Sequence, residues 1–270
     1  MNFHPASRRV RAIILVAFSV LLSAVARPQG KEIRVAAAAD LKFAMTEMAA
    51  EFEKQTGTNV LVTFGSSGNF FSQIQNGAPF DFFFSADIDY PKKLEAAGLA
   101  EPGTLYEYAL GRLVIWAPVD SKLDVANRGW KSLLDLRVQK IAIANPDHAP
   151  YGRAALAALE KAGIYESVKA KLVYGENISQ AAQFVQSGNA QAGIIALSLA
   201  VSPAMKDGNQ WEIPADMHPA IVQGLVVLKN AKDKEAARMF LKYVKSEKGR
   251  ATMARYGFEF SKEKREEEKR

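Results

Sequence analysis

The chain of 270 residues contains no cysteine, and it has only three histidines, His4, His148 and His218. Without cysteine, no disulfide can form, and zinc or iron–sulfur sites built on thiolates are excluded. With so few imidazoles, a metal site built on clustered histidines is not expected. The chemistry left to this protein therefore relies on hydroxyls, carboxylates and backbone groups.

The sequence also lacks nucleotide-binding motifs and a strong basic patch. No G-x-x-x-x-G-K-[ST] segment occurs, and no G-x-G-x-x-G segment follows the first predicted strand. The formal net charge is +6, but three of the arginines, Arg8, Arg9 and Arg11, lie close to the N-terminus. The small surplus in the rest of the chain, without clustered lysine or arginine, argues against nucleic acid as a partner.

The N-terminus has the three parts of a secretory signal peptide. The basic segment SRRVR is followed by the apolar run AIILVAFSVLLSAVA at positions 12–26, which ends in the cleavage pattern Ala24-Val25-Ala26. This run is shorter than the ~20 residues that a membrane-spanning helix requires, so a membrane anchor is the less favoured alternative. We predict that residues 1–26 are removed on export and that the mature chain, which has no cysteine to carry a lipid, resides in the periplasm.

Predicted strands and helices alternate along the rest of the chain. The segments EIRVAAA and NVLVTF are typical of strands, and apolar residues such as Leu41, Met45 and Phe52 lie between them at helical spacing. Asp40 stands where a helix N-cap is expected. The segment FDFFFSA is apolar on both faces, which indicates a central strand. The alternation predicts an α/β fold with mixed, mostly parallel sheets and helices on both faces.

In sheets of this kind, ligands bind beyond the carboxyl ends of the strands. The loops that follow the predicted strands are Ala39-Asp40, Gly65-Ser66-Ser67-Gly68, Ser85-Ala86-Asp87 and the segments 145–152 and 175–178. Several of these loops open helices, whose N-termini carry unpaired N–H groups and a partial positive charge. If the helix starts converge, they form an anion site made mainly of neutral dipoles.

The stretch VTFGSSGNFF, residues 62–71, is the most informative of these loops. Its glycines allow the backbone to approach a ligand closely, its serines supply O–H donors, and the helix that follows supplies N–H donors. These properties are what a bound anion requires. A simple turn with a helix cap is the structural alternative for the same residues.

Catalysis and metal binding are less well supported. A serine hydrolase built on Ser67 would need a base, and no G-x-S-x-G segment surrounds this serine. Asp81, Asp87 and Asp89 lie near one strand end, but carboxylates at such positions more often cap helices than hold metals. We therefore expect no enzyme activity, no cofactor and no direct bond between the protein and a metal, with an exported serine hydrolase as the weaker alternative.

Taken together, five segments resemble the periplasmic molybdate-binding proteins of ABC transporters, over roughly residues 31–260. They are VAAAADLKFAMTEMAAEFEKQTG, VTFGSSGNFFSQIQNGAPFDFFFSAD, IANPDHAPYGRAAL, GENISQAAQFVQSGNAQAGIIALS and ARYGF. The resemblance implies a type II periplasmic-binding-protein fold, in which two lobes joined by hinge strands close over one dehydrated tetrahedral oxyanion. It also implies a monomeric receptor for molybdate, and for tungstate, that delivers the ion to an inner-membrane ABC permease. A receptor for sulfate or another tetrahedral oxyanion is the alternative within the same class.

The same resemblance assigns lobes and ligands. Lobe I is expected at residues 31–111 plus 219–270, and lobe II at residues 112–218. Carried over by position, the ligand residues are Asp40, Ser67, Tyr151 and Ile178, and they hold an intact molybdate oxyanion through its oxygens. Ile178 is expected to contribute its backbone N–H at a helix start and not its side chain. Ser66 is an alternative to Ser67, Tyr151 could instead pack at the hinge, and Ile178 could instead belong to the core.

Two positions depart from the pattern of the family. Asp40 stands where well-known members have serine, and an ionised carboxylate would repel an oxyanion at close range. We therefore expect Asp40 to cap its helix with its side chain and to offer only its backbone N–H, with Ala39 nearby. Many members also have a ligand tyrosine where this chain has Ala196, and we expect the Tyr151 phenol to take its place.

Overall fold

The computed structural model describes residues 31–261, so the predicted signal peptide at residues 1–26 lies outside the described part. Ten strands occur in this part of the chain. They are β1 (Glu32–Ala38), β2 (Asn59–Gly65), β3 (Phe82–Ser85), β4 (Tyr106–Gly111), β5 (Leu113–Ala117), β6 (Ile141–Ala144), β7 (Leu172–Gly175), β8 (Ala192–Ala196), β9 (Asn209–Glu212) and β10 (Ile221–Val227).

Helices follow most of the strands. The α-helices are α1 (Lys42–Thr56), α2 (Ser67–Gln75), α3 (Asp89–Ala96), α4 (Val125–Arg128), α5 (Pro150–Lys161), α6 (Tyr165–Val168), α7 (Ile178–Gln186), α8 (Leu197–Ala200), α9 (Lys234–Lys245) and α10 (Glu247–Arg255). Short 3-10 turns lie at Ala39–Leu41, Val119–Ser121, Gly129–Leu134, Lys169–Lys171 and Ala215–Met217. Among the described residues, no helix combines the length and the apolar character needed to cross a bilayer.

The strands form two five-stranded sheets. The first sheet has the order β2-β1-β3-β10-β4, and the second has the order β7-β6-β8-β5-β9. In the first sheet β1 pairs in parallel with β2 and β3, while β10 runs antiparallel to β3 and β4. In the second sheet β6 is parallel to β7 and β8, while β5 is antiparallel to β8 and β9. One reversed strand in each sheet confirms the predicted mixed, mostly parallel α/β fold.

The first sheet is buried on both faces, and the alternation of its side chains explains why. Phe82 and Phe84 of β3 pack in one cluster with α1, α9 and α10, whereas Phe83 packs in the opposite cluster with α2 and α3. The strand β3 lies in the middle of the sheet, as its uniformly apolar sequence predicts. Layers of helices on both faces hold the carboxyl ends of the parallel strands in fixed positions.

The second sheet has its own core. All five residues of β5 and all four of β6 are buried, and they pack with the apolar faces of α5 and α7. The chain passes from the first sheet to the second between Gly111 and Leu113, and it returns between β9 and β10. Each sheet is therefore built almost entirely from one continuous stretch of chain, with β10 as the late addition to the first sheet.

Candidate functional site

Loops from both sheets meet around one small cavity. Its open volume is about 10 Å³, which is about the room that one water molecule needs. The residues that line it are Ala38, Ala39, Asp40, Gly65, Ser66, Ser67, Ala86, Ala149, Pro150, Tyr151, Asn177 and Ile178. They follow the carboxyl ends of β1, β2, β3, β6 and β7, which is where a ligand of such sheets is expected.

Four helix starts contribute to this lining. The 3-10 turn begins at Ala39, α2 at Ser67, α5 at Pro150 and α7 at Ile178. The first N–H groups of a helix have no partner within the helix, and they bring a partial positive charge with them. The arrangement can therefore bind an anion without a cationic side chain. Of the described residues that line the cavity, none is lysine, arginine or histidine.

The two adjacent serines have different partners. Ser66 is the N-cap of α2, where its Oγ accepts from the Asn69 N–H at 3.4 Å and lies 3.0 Å from His148 Nδ1. Ser67 Oγ instead accepts from the Ala86 N–H at 2.9 Å. That acceptor role fixes the Ser67 side chain and leaves its O–H proton available for a ligand. The nearby histidine contacts Ser66, so it does not supply a base to Ser67.

Asp40 lies in a buried polar cluster that spans both sheets. Its Oδ2 accepts a hydrogen bond from the Tyr151 O–H at 3.0 Å and another from Gln223 Nε2 at 2.6 Å. Gln223 also donates to the Tyr151 oxygen at 3.0 Å, and the Tyr108 O–H donates to Gln223 Oε1 at 2.6 Å. The cluster fits around Gly111, because a Cβ atom built there would lie 2.3 Å from the Tyr151 oxygen.

Burial dominates the electrostatics of this cluster. It raises the pKa of Asp40 to about 6, although the hydrogen bonds from Gln223 and Tyr151 lower it. The pKa values of Tyr108 and Tyr151 lie well above their ordinary value, first because of burial and then because of the Asp40 charge. The second carboxylate oxygen, Asp40 Oδ1, is buried and has no hydrogen-bond partner among the described residues.

One expectation about this cluster needs correction. We expected Asp40 to cap its helix, but the 3-10 turn has no side-chain cap, and Tyr151 and Gln223 are the partners of the carboxylate. The amides of Asp40 and Leu41 have only a minor lowering effect on its pKa. We also expected the Tyr151 phenol to face the ligand; its O–H donates to Asp40, and its contact with the ion stays a prediction. A buried carboxylate forms stronger hydrogen bonds with a side-chain donor such as the Tyr151 O–H than with the amides of a short helix turn.

Residues of the second sheet region hold the Asp40 loop from the other side. The Ser179 O–H donates to the Ala39 carbonyl at 2.8 Å, and the Ser198 O–H donates to the Asp40 carbonyl at 2.8 Å. Both carbonyls thus have a side-chain donor from the second sheet region, which fixes the backbone of the Asp40 loop. Ala196, where many family members have a tyrosine, is buried at the end of β8, immediately before α8.

Further contacts connect the two sheet regions around the cavity. The Gly68 N–H donates to the His148 carbonyl at 2.9 Å, and a Cβ atom at position 68 would lie only 2.7 Å from that oxygen. Arg153 forms a salt bridge of 2.6 Å with Asp87. These contacts bridge the first sheet region and the second beside the cavity.

Comparison with known proteins identifies the family. The family model described as "Bacterial extracellular solute-binding protein" matches residues 33–259. The chain belongs to this family of bacterial extracellular solute-binding proteins. The molybdate-binding protein ModA of Azotobacter vinelandii is 40% identical over 231 residues, 85% of this chain and 90% of that protein. ModA of Rhodobacter capsulatus is 37% identical over 84% of this chain and 88% of that protein.

A solved structure agrees with these relatives. The periplasmic molybdate-binding protein of Azotobacter vinelandii superposes with a TM-score of 0.80 and 34% identity, covering 85% of this chain and 100% of that one. The resemblance inferred from the sequence motifs is thus confirmed. As a solute-binding protein, this chain is expected to have one binding cleft, and the cavity described above lies where the loops of both sheets meet.

Several residues around the cleft were not predicted from the sequence. Gln223, Tyr108, Ser179 and Ser198 all support the Asp40 loop or its carboxylate. One feature of the sequence did point to Gln223, because it is the single polar side chain in the apolar strand segment IVQGLVV. No group of three or more acidic or histidine side chains suited to a metal ion occurs within residues 31–261.

Proposed function

We propose that this protein is an exported receptor that captures molybdate between two lobes and delivers it to an ABC permease. The observation that carries the proposal is the convergence of four helix starts on one small cavity. Such a site favours a compact anion with several acceptor oxygens. The Azotobacter vinelandii relative, which is a molybdate-binding protein, supports molybdate as that anion, and tungstate offers the same shape and charge.

The proposed ligands are groups of Asp40, Ser67, Tyr151 and Ile178, with Ala39 as a neighbour. Ser67 would donate its free O–H, because its Oγ already accepts from Ala86. The other residues would donate backbone N–H groups from helix starts, where no intrahelical partner exists. Ser66 serves as the N-cap of α2, which favours Ser67 as the ligand. The ion would keep its four oxygens and form no bond between molybdenum and protein.

The two sheets would be the cores of two lobes, at residues 31–111 plus 219–270 and at residues 112–218. The crossings at Gly111–Leu113 and between β9 and β10 would act as hinge strands. Closure of such lobes around a ligand is a common motion of binding proteins. The described form, with Gly68 and Arg153 in contact with the opposite lobe, would be the closed one.

The receptor would act as a monomer in the periplasm, after removal of residues 1–26, and it would catalyse no reaction. Its partner at the inner membrane would be the permease of an ABC transporter. Nucleic acid is not proposed as a partner, because no basic residue lines the cleft among the described residues. Nor is a resident cofactor proposed.

Isothermal titration calorimetry of the mature protein with molybdate, tungstate and sulfate tests this function. We expect tight one-to-one binding of molybdate and tungstate and much weaker binding of sulfate. All three ions offer four acceptor oxygens and two negative charges, so selectivity must come from the size of the closed cavity. Tight binding of sulfate alone would favour the sulfate receptor, and no heat with any of the three ions would contradict the proposal.

A further inference from the structure

One carboxylate oxygen of Asp40 has no partner at hydrogen-bond geometry among the described residues, although the amides of Asp40 and Leu41 lie close enough to the carboxyl group to lower its pKa slightly. Its Oδ2 accepts from Tyr151 and Gln223, whereas its Oδ1 is buried without a partner. Buried polar atoms in native proteins are nearly always hydrogen-bonded, so an exception beside a ligand cavity needs an explanation. Asp40 lines the cavity and is 1% exposed, so an ion bound in the cavity is a candidate partner for this oxygen.

The charge of the ion decides in which protonation state the Asp40 carboxyl group can contact it. A dianion next to an ionised carboxylate would bring three negative charges together, with no basic side chain among the described lining residues. Tyr151 and Gln223 both donate to Oδ2, so that oxygen is already an acceptor. A proton on Oδ1 removes the charge of the carboxyl group and turns the unpartnered acceptor into a donor.

We propose that Asp40 takes up one proton when the cleft closes over its ion and that the neutral acid donates a hydrogen bond from Oδ1 to an ion oxygen. This inference rests on the proposed function, because it requires a bound oxyanion that carries no proton of its own. The proton comes from solvent, and no covalent bond in the ion forms or breaks. Asp40 is then a donor that favours fully deprotonated oxyanions.

The surroundings of Asp40 permit this protonation. Tyr108 on β4 and Tyr151 on α5 face it, and both stay neutral because burial and the Asp40 charge raise their pKa values. Gln223 on β10 and Ser198 on α8 are neutral as well. Burial already raises the pKa of Asp40 to about 6, and a neighbouring dianion raises it further.

The opposite arrangement is an ionised Asp40 that accepts a hydrogen bond from a protonated ion such as hydrogen phosphate. It would also satisfy Oδ1, but it leaves the negative charge of the carboxylate in a cleft that already holds an anion. The two arrangements differ in their proton balance. Uptake of a proton by Asp40 makes apparent affinity fall about tenfold for each pH unit above the pKa of the free protein. An ionised Asp40 that binds an ion already protonated in solution, such as hydrogen phosphate, shows no such fall.

Counting protons tests the inference directly. Molybdate is titrated into the mature protein at pH 7.5 in two buffers with different ionisation enthalpies, neither of them phosphate, and the difference in heat gives the protons bound. We expect close to one proton per ion for the wild type. Asp40→Asn has a neutral amide donor of the same shape, so we expect no proton uptake and an affinity that stays constant from pH 6.5 to 8.5.

His148 is another titratable side chain beside the cleft, through its contact with Ser66, and His148→Gln is the control. We expect this variant to retain the proton uptake of the wild type. Molybdate binding without proton uptake by the wild type would overturn the inference and leave the proposed function intact, as would undiminished uptake by Asp40→Asn. Phosphate binding as tight as molybdate binding would favour the ionised arrangement, and no molybdate binding at any pH would overturn both.

Discussion

At the scale of single residues, the site depends on how two neighbouring serines are oriented. Ser66 uses its oxygen to cap α2 and to contact His148, whereas Ser67 accepts from the Ala86 N–H and keeps its own proton for a ligand. The two adjacent serines thus differ: one hydroxyl caps a helix, and the other is the one we propose as a ligand of the ion. The backbone decides the difference, because only the first serine stands in the extended conformation of an N-cap.

Ser67→Ala should therefore weaken molybdate binding by about 1.5–3 kcal/mol, the value of a hydrogen bond to a charged partner. Calorimetric titration at pH 7 measures the loss. Ser66→Ala is the matched control, because it should lower stability by about 0.5–2 kcal/mol through the lost cap while affecting affinity less. If Ser66→Ala loses more affinity than Ser67→Ala, the two serines have been assigned the wrong way round.

Tyr151 has two groups that could bind the ion, its backbone N–H and its phenol O–H, and the variant Tyr151→Phe distinguishes between them. Tyr151→Phe keeps the backbone N–H at the start of α5 but removes the donor to Asp40 Oδ2. We expect affinity at pH 7 to stay within about tenfold of the wild type, since the hydrogen bond that is lost goes to Asp40 and not to the ion. The hydrogen bond from Tyr151 lowers the pKa of Asp40, so without it the fall in affinity should begin at higher pH.

Titrations of Tyr151→Phe between pH 6 and 8.5 check this expectation. Complete loss of binding at every pH would mean that the phenol itself contacts the ion. An unchanged pH profile would mean that the Tyr151 hydrogen bond has no influence on the protonation of Asp40.

The sequence allowed some of these residues to be anticipated and concealed others. Ser67, Tyr151 and Ile178 lie at the ends of predicted strands, and all three line the cavity. The role of Gln223 could not be read in the same way, because its partner Asp40 lies 183 positions away along the chain. Tertiary packing decides which donors surround a buried carboxylate, and the local sequence does not show them. For this reason the expected helix cap at Asp40 was wrong.

At the scale of elements, the site is made by the way strands end and helices begin. Parallel pairing of β1 with β2, and of β6 with β7, places consecutive loops at the same sheet edge. Hydrophobic periodicity predicted these elements well, because burial on both faces leaves a clear pattern. The short 3-10 turn before α1 was not predicted, since three residues carry too little periodicity to be distinguished from a helix start.

Gly68 is the point where the start of α2 meets the opposite loop. Gly68→Ala should lower molybdate affinity at least tenfold, because the added methyl would lie against the His148 carbonyl in the closed form. The ion-free protein should unfold at an equal or higher temperature, since alanine is favoured over glycine in helices by about 1 kcal/mol.

Ser72→Ala, at an exposed position of the same helix, is the control for helix propensity and should leave affinity unchanged. Calorimetry and thermal unfolding, with and without molybdate, provide both readouts. Wild-type affinity in Gly68→Ala would show that the loaded cleft does not need this close approach.

At the scale of the whole molecule, the proposed lobes are joined by buried hydrogen bonds around Asp40 and by two more exposed contacts at the rim of the cleft. The exposed contacts are the Arg153–Asp87 salt bridge at 2.6 Å and the hydrogen bond from Asn69 Nδ2 to Glu176 Oε1 at 3.4 Å. Because these side chains are partly exposed, each of the two rim contacts contributes little to closure. They would form a weak latch that allows the cleft to reopen for release.

Asp87→Asn should therefore weaken molybdate binding by no more than about fivefold, which corresponds to the upper end of the 0.2–1 kcal/mol typical of exposed ion pairs. The effect should shrink in high salt, because screening already weakens the pair in the wild type. Titrations at low and high ionic strength measure both. Asp89→Asn, whose partner Lys92 lies in the same helix, is the control, and a loss above about fiftyfold for Asp87→Asn would contradict the weak latch.

The central claim is that backbone N–H groups and a serine hydroxyl replace the water shell of the ion without a cationic side chain. A crystal structure of the molybdate-loaded protein, with molybdenum located by its anomalous scattering, tests it most directly. We predict the ion between Asp40, Ser67, Tyr151 and Ile178, within hydrogen-bond distance of Ser67 Oγ and of backbone nitrogens at the helix starts. A lysine or arginine side chain in contact with the ion, or an ion bound away from this cavity, would contradict the account.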